Sequence, residues 1–309
     1  MLRRFYGLSL AGLGLLLFPV PGWPPSAHVL RQARTDAPTV LRGMLHETRS
    51  SPLDLELGGD LAGLPPGAVR YLTREDLEAL PQVSYTVTDD ANFGAPTQAR
   101  GVDLEVLTRE LAAAAEKAFV VAICKDRYRA HYPQAYIQAH RPVLVLEVNG
   151  KPPAGWPKNK EASGSTMGPY LISHPHFTPS FKILGHEDEA QIPWGVVRLE
   201  FRKEQEVFGA IAPPGANASG PAVQAGYRIA QQNCFRCHAP ESEGRQKGQL
   251  TWFGIAFIAS DSPQAFSAYV RNPQRVSPSA QMPGNPSYDD ATIEALILYF
   301  RTIFAQGKP

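Results

Sequence analysis

The sequence predicts an α+β protein, with a mixed α/β region over residues 36–208 and a small all-α region over residues 222–309. Strand-like alternation and short apolar runs between helical patterns predict the first region. Apolar residues that recur at helical spacing predict the second. Residues 209–221, which lie between them, are mostly small residues, Pro and Gly without periodicity, and this composition favours a semi-flexible linker.

The elements of the first region can be assigned in order. Thr73 fits the cap of a helix that begins at Arg74, because an acidic residue, Asp76, follows three positions later. A second helix, rich in Leu and Ala, is predicted over residues 102–117, and a loop over residues 125–133. The predicted strands cover residues 83–88, 118–124, 143–148 and 194–202.

The second region contains the most informative motif of the chain. Cys234 and Cys237 are followed directly by His238, which gives the pattern C-x-x-C-H. Two thiols at this spacing can add across the vinyl groups of one porphyrin, and the histidine can bind its iron as the proximal ligand. The pattern therefore predicts one covalently attached haem c. A redox-active cysteine pair and half of a zinc site are the alternatives, but Cys124 is the only other cysteine.

Met282 is the candidate for the distal iron ligand. It lies 44 residues after His238, in a loop of proline, glycine and asparagine. Such a loop is rigid without being helical, which suits a weak thioether ligand better than a methionine that fills a gap in a core. The predicted site residues are thus Cys234 and Cys237 for the porphyrin, and His238 and Met282 for the iron. No catalytic residue is predicted.

Helices are predicted over residues 222–232, 263–271 and 289–304 around this motif. With them, the second region resembles a class I cytochrome c. The resemblance implies that the first and last helices cross closely, with a small residue facing an aromatic one. Gly226 facing Tyr299 or Phe300 fits that arrangement.

Residues 1–27 have the pattern of a secretory signal peptide. Arg3 and Arg4 precede a short apolar run, and small residues follow it. The run is shorter than the roughly 20 residues of a membrane-spanning helix, although an uncleaved anchor stays open because the exit lacks a clear cleavage site. We expect a periplasmic protein without a membrane span after signal removal, since bacterial c-type cytochromes mature outside the cytoplasm.

The composition is that of an ordinary globular protein, with 43% hydrophobic residues and a net charge of +1. This charge gives no indication of a nucleic-acid partner. Arg236, Arg245 and Lys247 add local positive charge beside the motif. They could steer an acidic redox partner, or they could be a solvated face.

Short segments of the first region, in their order, resemble the molybdopterin-binding domain of the sulfite-oxidase superfamily. They cover residues 72–80, 100–104, 125–128, 144–150 and 168–170. The resemblance implies a mixed α/β fold and, in active members, a molybdenum bound by a cysteine just after the strand at 83–88. This chain has Asp89 and Asp90 there. Cys124 comes one strand later, at the end of an apolar run, where we expect a buried, inert thiol. We therefore expect no molybdopterin.

Several other polar residues invite a catalytic interpretation. His174 and His176 could begin a metal site, but two ligands do not complete one, and Pro175 between them favours a turn. Asp89 and Asp90 are expected to cap or solvate a loop. His131 and His140 are expected to be surface residues.

Two functions follow as expectations. The first is a periplasmic monohaem cytochrome that carries single electrons between redox protein partners, with the first region as a cofactor-free scaffold or docking module. The alternative is an oxidoreductase similar to a sulfite dehydrogenase, in which a molybdopterin in the first region passes electrons to the haem of the second. The missing thiolate favours the electron carrier over the enzyme.

Overall fold

A computed structural model describes residues 40–88, 90–158, 166–175 and 191–307, which all belong to one compact unit, Pro38–Pro309. The predicted α+β class is confirmed, because a mixed sheet occupies the first part of the chain and only helices follow it. The predicted signal peptide lies outside the described residues. No helix among the described residues has the length and apolar character needed to cross a bilayer.

Nine strands are described, and they form one sheet. Their bounds are β1 Leu55–Gly59, β2 Arg70–Leu72, β3 Val83–Val87, β4 Thr97–Asp103, β5 Phe119–Cys124, β6 Arg129–Tyr132, β7 Val143–Val148, β8 Tyr170–Ser173 and β9 Trp194–Arg202. The main strand order is β2-β1-β9-β8-β7-β4-β3, and β5 pairs with both β9 and β6. The pairing of β1 with β9 is parallel and the other pairings are antiparallel.

The α-helices of the described chain are short, apart from the last. Their bounds are α1 Arg74–Glu78, α2 Leu104–Leu111, α3 Gln134–His140, α4 Glu204–Gly209, α5 Pro221–Ile229, α6 Trp252–Asp261, α7 Pro263–Arg271, α8 Pro273–Val276 and α9 Asp290–Ala305. A π-helical turn, Ala230–Cys234, extends α5. We call the sheet with α1 to α3 the sheet lobe, and α4 to α9 the helical lobe.

Two predicted elements of the sheet lobe were wrong. The helix predicted over residues 102–117 starts only at Leu104, because Asp103 ends β4 and caps α2 by accepting from the Glu105 N–H. It ends at Leu111, because the next residue, Ala112, is extended and Ala113 donates to the Asp60 carbonyl instead of to α2. The loop predicted over residues 125–133 contains a strand, β6, which pairs with β5.

The two lobes share a hydrophobic core. Strand β5 alternates between its two faces, so that Val120 and Ala122 enter the core of the sheet lobe. Phe119 and Val121 point the other way and pack in one cluster with the helices, including Phe235 of the cysteine motif. The sheet lobe therefore covers one side of the helical lobe with apolar contact.

The segment predicted as a linker, residues 209–221, enters this shared core at one point. Ile211 is fully buried in the helical core, and its carbonyl accepts a 2.5 Å hydrogen bond from the Tyr299 hydroxyl. Pro221 then begins α5, where proline suits the first helical position. The segment thus contacts the helix α9 that closes the chain.

Candidate functional site

The cysteine motif lies on the turn that follows the π-helical extension of α5. The Cys234 carbonyl accepts from the N–H groups of Cys237 (3.2 Å) and His238 (2.9 Å). Both thiols are half-buried, and neither belongs to a disulfide. This turn brings the two thiols and the imidazole together, as the sequence motif predicts they must be for one porphyrin.

The ring of His238 is held in one orientation. Its Nδ1 lies 2.8 Å from the Leu250 carbonyl oxygen, and since a carbonyl can only accept, Nδ1 carries the proton. The other nitrogen, Nε2, is left with its lone pair for a metal. Gly248 makes room for the ring, because a Cβ at that position would lie 2.4 Å from both Cε1 and Nδ1 of His238.

Met282 is placed in a loop that is tied to α8. The Gln274 side-chain amide donates to the carbonyls of Met282 (2.9 Å) and Ala280 (3.0 Å). Met282 and Cys234 are both partly buried against the same helical core. The structure thus places the predicted thioether and the predicted attachment turn on one core, although 44 residues separate Met282 from His238 in sequence.

The donor set fits a c-type haem. Such a cofactor requires two thiols outside any disulfide, as at Cys234 and Cys237, an imidazole with a fixed Nδ1–H, as at His238, and a thioether, as at Met282. Sequence reasoning predicted these four residues and did not anticipate Leu250 and Gly248, which orient the His238 imidazole. Nothing in the local pattern distinguishes this glycine from those of ordinary loops.

The residues present do not fit the molybdenum of a molybdopterin enzyme. After β3, Asp90 is buried and accepts from the Ser173 hydroxyl at 2.8 Å and the Asn92 N–H at 2.8 Å, whereas Asp89 lies outside the described residues. Cys124 is buried at the end of β5, where burial raises the pKa of its thiol. Within the described chain, no three His, Cys, Asp or Glu side chains are grouped so as to hold a metal ion.

Strand β6 binds the loop that carries the motif. The Arg129 N–H donates to the Arg236 carbonyl at 2.8 Å. The buried Arg129 guanidinium donates to the carbonyls of Glu243 and, at 3.1 Å, of Arg245. From the same lobe, Arg202 pairs with the Glu243 carboxylate at 2.5 Å. The motif loop is thus fixed by the sheet lobe through its own backbone.

Two of the three cations expected beside the motif have partners within the chain. Arg236 hydrogen-bonds Tyr128 of the sheet lobe, and the Lys247 ammonium pairs with Asp126 at 2.7 Å. Their partners, Tyr128 and Asp126, lie between β5 and β6, more than 100 residues away in sequence.

His131 was wrongly predicted to be a surface residue. Its side chain is 5% exposed, and its ring stacks on Phe235 of the motif with centroids 4.5 Å apart and planes 1° from parallel. Neither ring nitrogen has a hydrogen-bond partner among the described residues. Burial, with smaller contributions from the cations Arg129, Arg236 and Arg202, lowers the pKa of His131 to about 3.

The other histidines singled out by sequence lie apart from the motif. His174 is buried, and its Nε2 is 2.9 Å from the Tyr136 hydroxyl. Burial lowers the pKa of His174 to about 3, with a further effect of His140. His140 is half-buried against the Tyr136 ring, and His176 lies outside the described residues.

Replacing His131 with phenylalanine is expected to stabilise the protein by about 1–3 kcal/mol at neutral pH, because a buried polar group without a partner is removed. The gain should grow on acidification. The unfolded imidazole takes up a proton below about pH 6.5, whereas the folded one does so only near pH 3. Wild type therefore loses about 2 kcal/mol between pH 7 and pH 5 through this residue.

Urea unfolding of wild type and His131→Phe at the two pH values measures both effects, with His46→Phe, at an exposed histidine, as the matched control. A variant that is no more stable than wild type at pH 7, or a difference that stays constant with pH, would contradict the prediction.

Comparisons with known proteins identify no family for this chain. No family model matches it, and no curated protein does. Among solved structures, it is similar to the sulfane dehydrogenase SoxCD from Paracoccus pantotrophus, with a TM-score of 0.32 and 15% sequence identity. The match covers 52% of this chain and 41% of that one.

Proposed function

We propose that this protein is a monohaem c-type cytochrome that carries single electrons between redox protein partners in the periplasm. The observation that carries the proposal is the turn at Cys234, Cys237 and His238, with Nδ1 of His238 committed to the Leu250 carbonyl. When bound, the haem supplies a centre that takes up and releases one electron at a time. Cys234 and Cys237 would attach it, His238 and Met282 would bind its iron, and the Leu250 carbonyl would orient the His238 imidazole.

The sheet lobe serves in this proposal as a scaffold for the motif. Its support is the contact described above: a core shared through Phe119 and Val121, the backbone bonds made by Arg129, and the stacking of His131 on Phe235. A motif loop that the sheet lobe holds in place would reorganise little when the charge of a bound iron changes.

Expression of the full chain in a host that assembles c-type cytochromes tests the cofactor. We expect wild type to carry one covalent haem, seen as added mass and as a sharp visible band after reduction. The double variant Cys234→Ala/Cys237→Ala should lose covalent haem, and Cys124→Ala should keep it. Metal analysis should give iron without molybdenum. Absence of covalent haem from wild type, or molybdenum close to one equivalent, would overturn the proposal and would favour the enzyme in the second case.

The proposed role of the sheet lobe as a scaffold for the motif loop is tested by replacing Arg129 with methionine. The variant loses the side-chain bonds to two carbonyls of the motif loop, so backbone amides of residues 239–248 are expected to exchange with deuterium at least about tenfold faster. Arg109→Met, at a cation that is 59% exposed, is the control and should leave the exchange unchanged. Equal exchange in wild type and Arg129→Met would remove the support for a scaffold.

A further inference from the structure

The side chain of Gln246 closes the loop that runs from the cysteine motif to Leu250. Its amide oxygen accepts from the N–H of Ala239, the residue directly after His238, at 2.6 Å. Its amide nitrogen donates to the carbonyl of Leu250 at 2.6 Å and to that of Gly248 at 3.1 Å. One half-buried side chain thus joins the two ends of the loop that orients the His238 imidazole.

These partners fix which way the Gln246 amide points. A backbone N–H can only donate a hydrogen bond, and a backbone carbonyl can only accept one. Turning the amide over would place its NH₂ group against the Ala239 N–H and its oxygen against the two carbonyls, so that all three hydrogen bonds would be lost. Gln246 therefore presents a donor, and not an acceptor, to the Leu250 carbonyl.

The Leu250 carbonyl oxygen is shared by two donors. His238 donates to it through Nδ1 at 2.8 Å, and Gln246 donates to it at the shorter distance of 2.6 Å. A carbonyl oxygen has two lone pairs, so both hydrogen bonds can form together. Both donors draw electron density from the same oxygen, and the Gln246 bond leaves less of it for the Nδ1–H of His238. The shared oxygen is thus a weaker acceptor for the imidazole than a carbonyl with one donor.

The strength of the hydrogen bond at Nδ1 affects an iron that binds at Nε2. A strong acceptor for the Nδ1–H raises the basicity of the imidazole. A more basic imidazole gives more electron density to the iron and stabilises its ferric state, which lowers the reduction potential. A second donor on the Leu250 carbonyl acts in the opposite direction, because it weakens that acceptor.

We propose that Gln246 is a positioning residue for His238 that raises the reduction potential of the haem through the Leu250 carbonyl. The inference rests on the proposed function, because it concerns a haem attached at Cys234 and Cys237. Among side chains of this length, that of glutamine supplies an acceptor for one end of the loop and N–H donors for the other without adding charge.

The test compares Gln246→Met with wild type as full-length, haem-containing protein. Methionine is similar in length to glutamine but donates no hydrogen bond. We expect the potential to fall, with a change of at least about threefold in the equilibrium constant of one-electron reduction, or about 28 mV at about 59 mV per tenfold. In NMR spectra of the reduced protein, the His238 Nδ1–H signal should move downfield, because the Leu250 carbonyl then accepts one stronger bond.

Gln249→Met, at an exposed glutamine of the same loop, is the matched control and should leave the potential and the Nδ1–H signal unchanged. If Gln246→Met does not hold haem, Gln246→Glu is measured in its place, since it keeps an acceptor for the Ala239 N–H and removes the donor to Leu250. An unchanged or higher potential, or an Nδ1–H signal that stays in place or moves upfield, would overturn the inference. Wild type without covalent haem would instead overturn the proposed function, so the two failures are distinguishable.

Discussion

Replacing Gly248 with alanine is expected to lower the fraction of protein that holds a correctly ligated haem by about 10- to 100-fold, the usual effect of disturbing the partner of a metal-binding histidine. The added Cβ would lie 2.4 Å from Cε1 and Nδ1 of His238 and 3.1 Å from the Cys237 carbonyl oxygen. The imidazole cannot rotate away without breaking its 2.8 Å bond to the Leu250 carbonyl. The loop cannot move freely either, because Gly248 itself donates to Cys237 at 2.7 Å.

The measurement is the visible spectrum of the reduced protein together with the mass of the purified chain. Covalent attachment by Cys234 and Cys237 can persist while the iron ligand is lost, so the two readouts separate attachment from ligation. Gly254→Ala is the matched control, because the nearest atoms to a Cβ there are 3.5 Å away or more, at ordinary contact distance. A Gly248→Ala protein with the wild-type spectrum and yield would show that His238 does not need this space.

The candidate site residues could be proposed from sequence because covalent haem attachment requires a short motif. Cys234, Cys237 and His238 are neighbours in sequence, and Met282 lies in a loop whose composition is unusual for a core methionine. The residues that orient the His238 imidazole, Leu250 and Gly248, cannot be recognised from a sequence motif. Leu250 acts through its carbonyl, which every residue possesses, and Gly248 acts through the absence of a side chain.

The contact between the lobes shows where sequence reasoning stops. Strand β6 reads Arg129-Ala130-His131-Tyr132, with polar residues at alternate positions. Alternation of this kind is typical of a half-buried strand, yet the run was predicted to be a loop with a surface histidine. In the folded chain the polar face is covered by the motif loop, and Ala130 and Tyr132 enter the core of the sheet lobe. Whether the polar face of β6 is exposed or buried therefore depends on the motif loop, which is distant in sequence.

The crossing of α5 and α9, by contrast, is what the resemblance to a class I cytochrome c implies. The helical spacing in the last residues predicted α9, and the resemblance implied a close approach of Gly226 to Tyr299 or Phe300. In the structure, a Cβ on Gly226 would lie 2.0 Å from the Ala295 carbonyl oxygen and 2.7 Å from the Tyr299 Cβ. Gly226 thus packs against the backbone of α9 as well as against Tyr299.

Replacing Gly226 with valine is accordingly expected to destabilise the protein by about 3 kcal/mol or more, at the upper end of the cost of overpacking. The atoms in the way are backbone and Cβ atoms, which cannot rotate aside, so α5 and α9 must separate. Separation would open the core that the helices share with Phe119 and Val121 of β5. The effect should therefore reach the sheet lobe and appear as one cooperative transition at lower denaturant concentration.

Urea unfolding followed by far-ultraviolet circular dichroism measures this loss. Tryptophan fluorescence reports on Trp252, which packs on Tyr299 and Phe300, together with Trp156 and Trp194 of the sheet lobe. Gly209→Ala, at the end of α4 where nothing lies within 4 Å of the added Cβ, is the control and should unfold like wild type. If Gly226→Val lost stability only in the helical lobe and left a separate, unchanged transition for the sheet lobe, the shared core could not be what joins the two lobes. A single shifted transition is the result that the packing of Phe119 and Val121 requires.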